Sequence, residues 1–533
     1  MTKLQDDLRM FARFPAAIRP LARQPLTLAG ARDAIRQRMD QREERFLALA
    51  QRSIYGHPSS PYLALLQLAG CEYGDLRDRV RQRGLEPTLR ELRRQGVYVD
   101  YEEFKGRRPI VRFGQEIQVS ASDFRNPAAP GDYDTQTGGS TGAATSVPVN
   151  VEYMMARAPY LLVTLDAHGL MGAPSASWGG ILPHSGIGSV MRQAYVGQAI
   201  EKWFSPVGWR DSNQWIKYGA ATCYLVFWLR FRGMPVPFPQ VVRVDQALTV
   251  ARWVASAVRT HGRCVLHCQL SRAIRVCIAA EEAGLDLRGA AFKGAGEAPT
   301  SAKLAHLERA GVHYVSQYGM TEAGSVGGGC ARPLEGSDVH LFKDAYVLFP
   351  HPIEVPGAGT TVPAFNLTTL HPTAPKVMLN TQVDDYGVVE ERNCGCELES
   401  YGYTTHLRQI RSYGKLTGEG VSLVGSEMVR ILEEVLPARF GGTSQDYQLL
   451  EEEDQQGFTR LFLMVHPRLG SLDEPQMVGV VLEALRQSSP MADTARGVWA
   501  RAETLQVRRA APIWTQRGKL MPLHMERRTE QPS

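Results

Sequence analysis

Asp134-Thr135-Gln136-Thr137-Gly138-Gly139-Ser140-Thr141-Gly142 packs three glycines and four hydroxyl side chains into nine residues. Glycine lets a chain turn without steric cost, so such a stretch can bring backbone N–H groups and hydroxyls around a polyphosphate. Taken alone it also reads as a polar surface loop. It is not a Walker A loop, because Ala143-Ala144-Thr145-Ser146 follows where that motif requires Gly-Lys-Ser/Thr. Its meaning comes from what lies downstream. Ser316-Gln317-Tyr318-Gly319-Met320-Thr321-Glu322, Asp384-Asp385-Tyr386-Gly387 and Gly518-Lys519 follow in that order. They add an aromatic face, acids and a lysine to the glycine-rich loop, and together read as a nucleotide site.

At 533 residues the chain exceeds the size at which a single core divides, so at least two domains are expected. Lys and Arg number 60 against 55 Asp and Glu, and the net charge of +5 is small for this length. With no dense basic run, nucleic-acid binding has no support. The slight excess of positive charge suits an anionic small molecule such as a nucleotide. Eight cysteines are scattered through the chain, unlike a secreted disulfide framework. The start, Met1-Thr2-Lys3-Leu4-Gln5-Asp6-Asp7, has no apolar leader pattern. The most apolar run, Cys223-Tyr224-Leu225-Val226-Phe227-Trp228-Leu229, is shorter than the roughly 20 residues a bilayer span needs. A cytoplasmic enzyme without a membrane span is the expectation.

Residues 1–110 mix Arg-rich helical stretches with short turns, with helices expected over 26–52 and 87–95. From about 110 to 390, glycine-rich turns separate short apolar runs from helical ones, which predicts an α/β layer architecture. Cys264-Val265-Leu266-His267-Cys268 reads as a buried strand before a helix over 271–283, and residues 289–294 as another before a helix over 301–310. Beyond 411 the texture changes to a small α+β module. Helices are expected over 427–436 and 477–487, and a strand pair over 446–451 and 458–465.

The motifs make chemical sense one by one. Tyr318 offers a face for adenine, Thr321 a hydroxyl for a phosphate, and Glu322 a hard oxygen ligand of the kind Mg²⁺ takes together with substrate phosphates. Gly294-Ala295-Gly296-Glu297 would let backbone approach a base closely. An acid at Asp384 or Asp385 can accept both ribose hydroxyls; Gly387 favours Asp385, and Asp384 stays open. Glycines 414, 418 and 420, after Arg411, suit a segment that changes its backbone angles. Cys394-Gly395-Cys396, with Cys330 and His406, offers soft ligands for a structural Zn²⁺, against the alternative of reduced buried thiols.

Thr137, Gly138, Gly139, Ser140, Thr141 and Gly142 resemble the phosphate loop of the acyl-adenylate-forming superfamily, which includes acyl-CoA synthetases, peptide-synthetase adenylation domains and luciferases. Tyr318-Gly319-Met320-Thr321-Glu322 resembles its Tyr-Gly-x-Thr-Glu motif, the most specific match, and Gly518-Lys519 its catalytic Gly-Lys. Val339-His340-Leu341-Phe342 and the Cys-Gly-Cys look closest to the phenylacetate–CoA ligase and acyl-protein-synthetase-like branch. The resemblance implies a large adenylation domain over 1–410 with layered sheets and helices, and a small mobile α+β domain over 411–533. It implies ATP and Mg²⁺, with Tyr318 and Gly319 at adenine, Gly296 and Glu297 lining its pocket, Thr321 at the α-phosphate and Glu322 at magnesium. Asp384 or Asp385 would meet the ribose and Arg411 the ribose and phosphates. Lys519 would bridge the substrate carboxylate and α-phosphate, and His184 falls among residues lining the acyl pocket. Three positions depart from the pattern: Thr145 stands where lysine is common, Val383-Asp384 where Thr-Gly is common, and Tyr413 at the hinge.

The function so implied is activation of a carboxylic acid as acyl-AMP with release of pyrophosphate, then transfer to coenzyme A. Transfer to an amine is the serious alternative. A thiol within the C-terminal module is not available, since every cysteine lies at or before Cys396, which weakens a protein- or carrier-thiol route. A non-catalytic nucleotide-binding homologue is the reading from another class.

Overall fold

The computed structural model describes residues 14–19, 25–129, 131–136, 146–182, 184, 186–198, 200–208, 215–297, 299, 301–354, 361–412, 415–418, 421–424, 431–453, 459–486, 499, 504–513 and 523–525. The N-terminal part is helical. Helix Leu28–Asp40 starts behind Thr27, whose hydroxyl accepts the Gly30 N–H at 3.1 Å, filling one of the donors a helix start leaves open. The stretch expected as one helix over 26–52 breaks at Gln41 and continues as Arg42–Ala50 and a π turn, Gln51–Tyr55. Helix Leu85–Arg94 carries Pro87 in its first turn, where no N–H is missed. It buries Leu85, Leu89 and Leu92 along one face, the spacing that makes it amphipathic.

Two hairpins come next, β1 (Ile110–Arg112) with β2 (Gln115–Ile117), and β3 (Tyr133–Gln136) with β4 (Ser146–Val149). A twelve-stranded sheet then organises the chain. Its parallel half comprises β5 (Ser175–Trp178), β6 (Ile200–Ser205), β7 (Pro239–Val241), β8 (Cys264–Cys268), β9 (Ala290–Gly294) and β10 (His313–Met320). They lie in the order β10-β9-β8-β5-β6-β7. Its antiparallel half comprises β11 (Gly324–Gly329), β12 (Val339–Leu341), β13 (Tyr346–Glu354), β14 (Thr361–Thr369), β15 (Thr381–Glu391) and β16 (Thr405–Ser412). Strands flanked by helices are buried on both faces and so read as continuous apolar runs. In β8, every residue but His267 is buried.

The expected mixed α/β architecture is what the chain adopts. Helices Ala247–His261 and Leu270–Glu282 cover β5, β8 and β9 around Trp178, Leu266 and Phe292. The N-terminal helices pack on the antiparallel half around Leu89, Phe124, Tyr346 and Leu367.

Strands β17 (Lys415–Gly418) and β18 (Val421–Val424) form a separate hairpin. A four-stranded sheet follows, built from β19 (Tyr447–Glu453), β20 (Thr459–Val465), β21 (Leu505–Arg509) and β22 (Leu523–Met525) in the order β21-β20-β19-β22. With helix Glu474–Arg486 it encloses its own core around Leu449, Leu463, Val481 and Trp499. The helix expected over 427–436 is a π turn, Ile431–Val435, running into Leu436–Phe440 in its described part. Among the described residues no helix is long and apolar enough to cross a membrane.

Candidate functional site

Strand β10 is the seam of the large sheet. Its first half pairs parallel with β9, and its second half, Gln317 to Met320, pairs antiparallel with β11 across a bulge between Tyr318 and Gly319. A bulge re-aims side chains locally, and here it falls inside the Tyr-Gly-x-Thr-Glu motif. Gly319 has no alternative: a Cβ would sit 2.6 Å from the Gly324 carbonyl oxygen. The turn beyond it is pinned by the hydroxyls of Tyr153 and Tyr346, which both donate to the Ala323 carbonyl at 2.7 and 2.5 Å.

Three motifs far apart in sequence meet at this seam. The Tyr318 hydroxyl donates to Asp385 Oδ2 at 2.9 Å, and the Ser412 hydroxyl donates to Asp385 Oδ1. Strand β15 is separated from β10 by β11, β12 and β16 in the sheet order, so this contact exists because the sheet coils back on itself. Burial, and then the Asp385 carboxylate, push the Tyr318 phenol well above its ordinary range, so it stays a donor. Arg411, exposed at the end of β16, lies in register with Tyr386 beside this group. Asp385 and not Asp384 therefore joins Tyr318 and the Arg411-Ser412 strand end. Asp384 lies instead close enough to Lys105 to raise its pKa.

Thr321 is exposed, while Glu322 is buried and ion-paired to Lys105. Burial pushes the Glu322 carboxyl up, but Lys105 and Lys376 outweigh it and hold it at about 2. Neither lysine carries a signal along the chain; each comes from a segment without a motif. Glu322 is thus a carboxylate in a cationic surround, and a magnesium ion fits only as one that draws its remaining ligands from phosphates and water.

Gly296 has φ +89°, a conformation that favours glycine. The Glu297 carboxylate is held at the start of helix Leu270–Glu282: it accepts from the backbone N–H of Ser271 at 3.1 Å and from its hydroxyl, with Lys303 at 3.9 Å. His184 lies with its ring over Gly180, and burial, aided by Arg272, lowers it to about 4. Its Nε2 is buried without a hydrogen-bond partner among the described residues. The phosphate loop, Thr137 to Gly142, and Lys519 lie outside the described residues. The two strands that carry the loop, β3 and β4, pair from Tyr133↔Val149 to Gln136↔Ser146.

A second cluster stands at the far end of β11. Cys330, His340, Cys394 and Cys396 offer one ligand atom each, all within 4.8 Å of one another. His340 Nε2 is 3.1 Å from Cys396 Sγ and 3.6 Å from Cys394 Sγ. His340 Nδ1 lies 2.6 Å from the Tyr403 carbonyl, the bond that fixes the tautomer of a metal-binding histidine. The Cys396 thiol is pushed down, first by a hydrogen bond from Cys330 and then by His340. Three sulfurs and one imidazole nitrogen fit the tetrahedral preference of zinc. The fourth ligand corrects the sequence expectation: His406 turns to Asp338 at 2.7 Å, and its ring lies 4.1 Å from that of His340. A two-residue alternation along a strand does not reveal which of two histidines faces the sulfurs.

No protein-family description matches the chain, and no curated protein matches it. Among solved structures it is similar to 2-hydroxyisobutyryl-CoA ligase in complex with 2-HIB-AMP and CoA, at TM-score 0.54 and 14% identity over 92% of this chain and 90% of that one. It also aligns with the amide bond synthetase McbA from Marinactinospora thermotolerans, at TM-score 0.46 and 12% identity over 96% and 98% of the two chains. At such identities the likeness speaks to fold. The chain has the fold of the adenylate-forming ligases.

Proposed function

We propose that this protein activates a carboxylic acid as acyl-AMP and passes the acyl group to coenzyme A. The observation that carries this reading is the convergence of Tyr318, Asp385 and the Arg411-Ser412 strand end at the seam that also bears Thr321 and Glu322. That is an aromatic ring, a carboxylate and an exposed hydroxyl on one edge, the groups an adenosine and its α-phosphate would need, within the fold of a CoA ligase.

In this reading adenine lies against Tyr318 and the Gly296 turn, and Asp385 accepts the ribose hydroxyls in place of Tyr318 and Ser412. The loop from Thr137 to Gly142 grips the leaving pyrophosphate. The substrate carboxylate oxygen attacks the α-phosphorus, the bond to the pyrophosphate oxygen breaks, and Thr321 and Lys519 neutralise charge on the α-phosphate. Such preorganised donors stabilise the transition state more than the ground state. Glu322, with phosphate oxygens, would hold a magnesium ion that screens the negative charge of the phosphates. The nucleophile then displaces AMP.

Residues 1–410 would form the adenylation unit and 411–533 the mobile unit that brings Lys519 to the site and withdraws it. The branch nearest phenylacetate–CoA ligase and the acyl-protein synthetases is the one proposed, with a structural zinc on Cys330, His340, Cys394 and Cys396. The eight free cysteines suit a reducing cytoplasm. An amine acceptor is the second reading, since the same activation chemistry serves it.

Pyrophosphate release with ATP, Mg²⁺ and a panel of carboxylic acids tests the proposal, and addition of coenzyme A or amines then identifies the acceptor. Nucleotide binding without turnover of any acid would favour the non-catalytic reading instead.

A further inference from the structure

Beside the seam lies a small cleft with a cavity volume of about 40 Å³. It runs between helix Gly186–Tyr195 and strands β8, β9, β10 and β11. Gln317, immediately before Tyr318, forms part of its wall, so the cleft adjoins the strand that carries the Tyr-Gly-x-Thr-Glu motif. Three lining side chains are cationic, Arg157, Arg192 and Lys293, and none is a carboxylate.

Lys293 is the informative one. It projects from β9 next to His267 of β8, its cross-strand partner in the parallel register. Its ammonium donates to Gln317 Oε1, and Gln317 in turn donates to Ser325 Oγ at 2.8 Å. Among the described residues, the charge that acts on it is Arg192, of the same sign. Burial and that repulsion lower Lys293 to about 7, and burial, with Lys293 and Arg192, depresses His267 far below its ordinary range. A buried cation without a counter-charge is costly, and structures retain one where something anionic arrives. A hydrocarbon tail in this cleft would desolvate Lys293, His267 and Gln317 and return no hydrogen bond.

We propose that the acid activated by this protein is a dicarboxylic acid, whose second carboxylate is held in the cleft by Lys293 and Arg192. This rests on the adenylation reading for the first carboxylate, which points toward Thr321 and Glu322. The second carboxylate takes two charge-assisted hydrogen bonds and returns Lys293 to its protonated form.

The test compares adipate and terephthalate with hexanoate and 4-methylbenzoate in pyrophosphate release, using wild type, Lys293→Met and Lys293→Gln. The expected result is a preference for the dicarboxylates of at least about tenfold in kcat/KM, collapsing in both variants, since a site built on polar partners rejects analogues that lack them. Preference for the apolar acids, or a ratio that neither variant changes, would overturn the proposal while leaving adenylation intact. If no acid releases pyrophosphate, the adenylation reading fails and binding decides the cleft on its own. Stabilisation of wild type against heat by terephthalate or adipate, absent in Lys293→Met, would then uphold the dicarboxylate site. No stabilisation by either compound would sink it.

Discussion

Glu322 and Lys105, 217 residues apart, form an ion pair in which both side chains are about nine-tenths or more buried, at 10% and 7% exposure. The pair involves the residue proposed for magnesium, next in the chain to Thr321. Under the proposed function, Lys105 is a resident counter-charge that MgATP would have to share or displace. Replacing Lys105 with Met leaves a buried carboxylate with weaker compensation from Lys376, and is expected to cost about 3–5 kcal/mol. Urea unfolding at neutral pH checks this. The same variant should bind Mg²⁺-nucleotide more tightly relative to free nucleotide than wild type does.

The pH dependence of this pair has a definite sign. Glu322 is held at about 2, below its ordinary 4.5. Its contribution is complete above the unfolded value and is lost as pH falls through the folded one. The stability gap between wild type and Glu322→Gln should be widest above pH 5 and shrink steadily toward pH 2. A gap that stays constant across that window would refute the assignment.

Lys293 shows the same sign of slope at higher pH, but there the shift marks a penalty on the charged form. Its folded value of about 7 lies below its ordinary 10.5, so between the two the unfolded chain binds more protons and stability rises with pH. Lys293→Met should therefore unfold at higher temperature than wild type at pH 7. The advantage should fade as the pH approaches 10.5.

Asp385 and Asp384 are separable by experiment. Asp385→Asn removes the charge and one of the two oxygens that accept from Tyr318 and Ser412, and should raise the KM for ATP by about tenfold or more, in line with the 1.5–3 kcal/mol of a charged hydrogen bond. Asp384→Asn, beside Lys105, should affect stability more than ATP affinity. Lys519→Ala should lower pyrophosphate release by about 10²–10³, yet spare thioester formation from preformed acyl-adenylate.

Metal analysis of the purified chain should find one zinc, lost in His340→Ala and Cys396→Ser and retained in His406→Ala. Chelation should lower the unfolding temperature, because metal held by the folded state alone stabilises it. Pyrophosphate release below that temperature should be little changed, as the cluster stands at the opposite end of β11 from Glu322.

Local chemistry made much of the protein legible along the chain. The apolar run at β8, the helix around Leu85, Leu89 and Leu92, and the strand pair β19 and β20 follow from periodicities of two and 3.6, which neighbours in sequence set. The Tyr318 to Glu322 motif was readable for the same reason, since its residues are contiguous. Lys105, Lys376, Lys293 and His340 were not, because each acquires its role only from a partner distant in the sequence.

The choice between Asp384 and Asp385 shows the boundary well. Both acids are adjacent and identical in type, and along the chain only the spacing to Gly387 favours Asp385. Coiling of the large sheet brings β15 back to β10 and puts Asp385 against Tyr318. The order of the motifs and the α/β class were written in the chain, because they depend on residue type and local period. Which carboxylate faces Tyr318, which histidine joins the three sulfurs and which lysines surround Glu322 were decided by tertiary packing, because long-range contacts depend on sheet order and twist, and no local pattern encodes them.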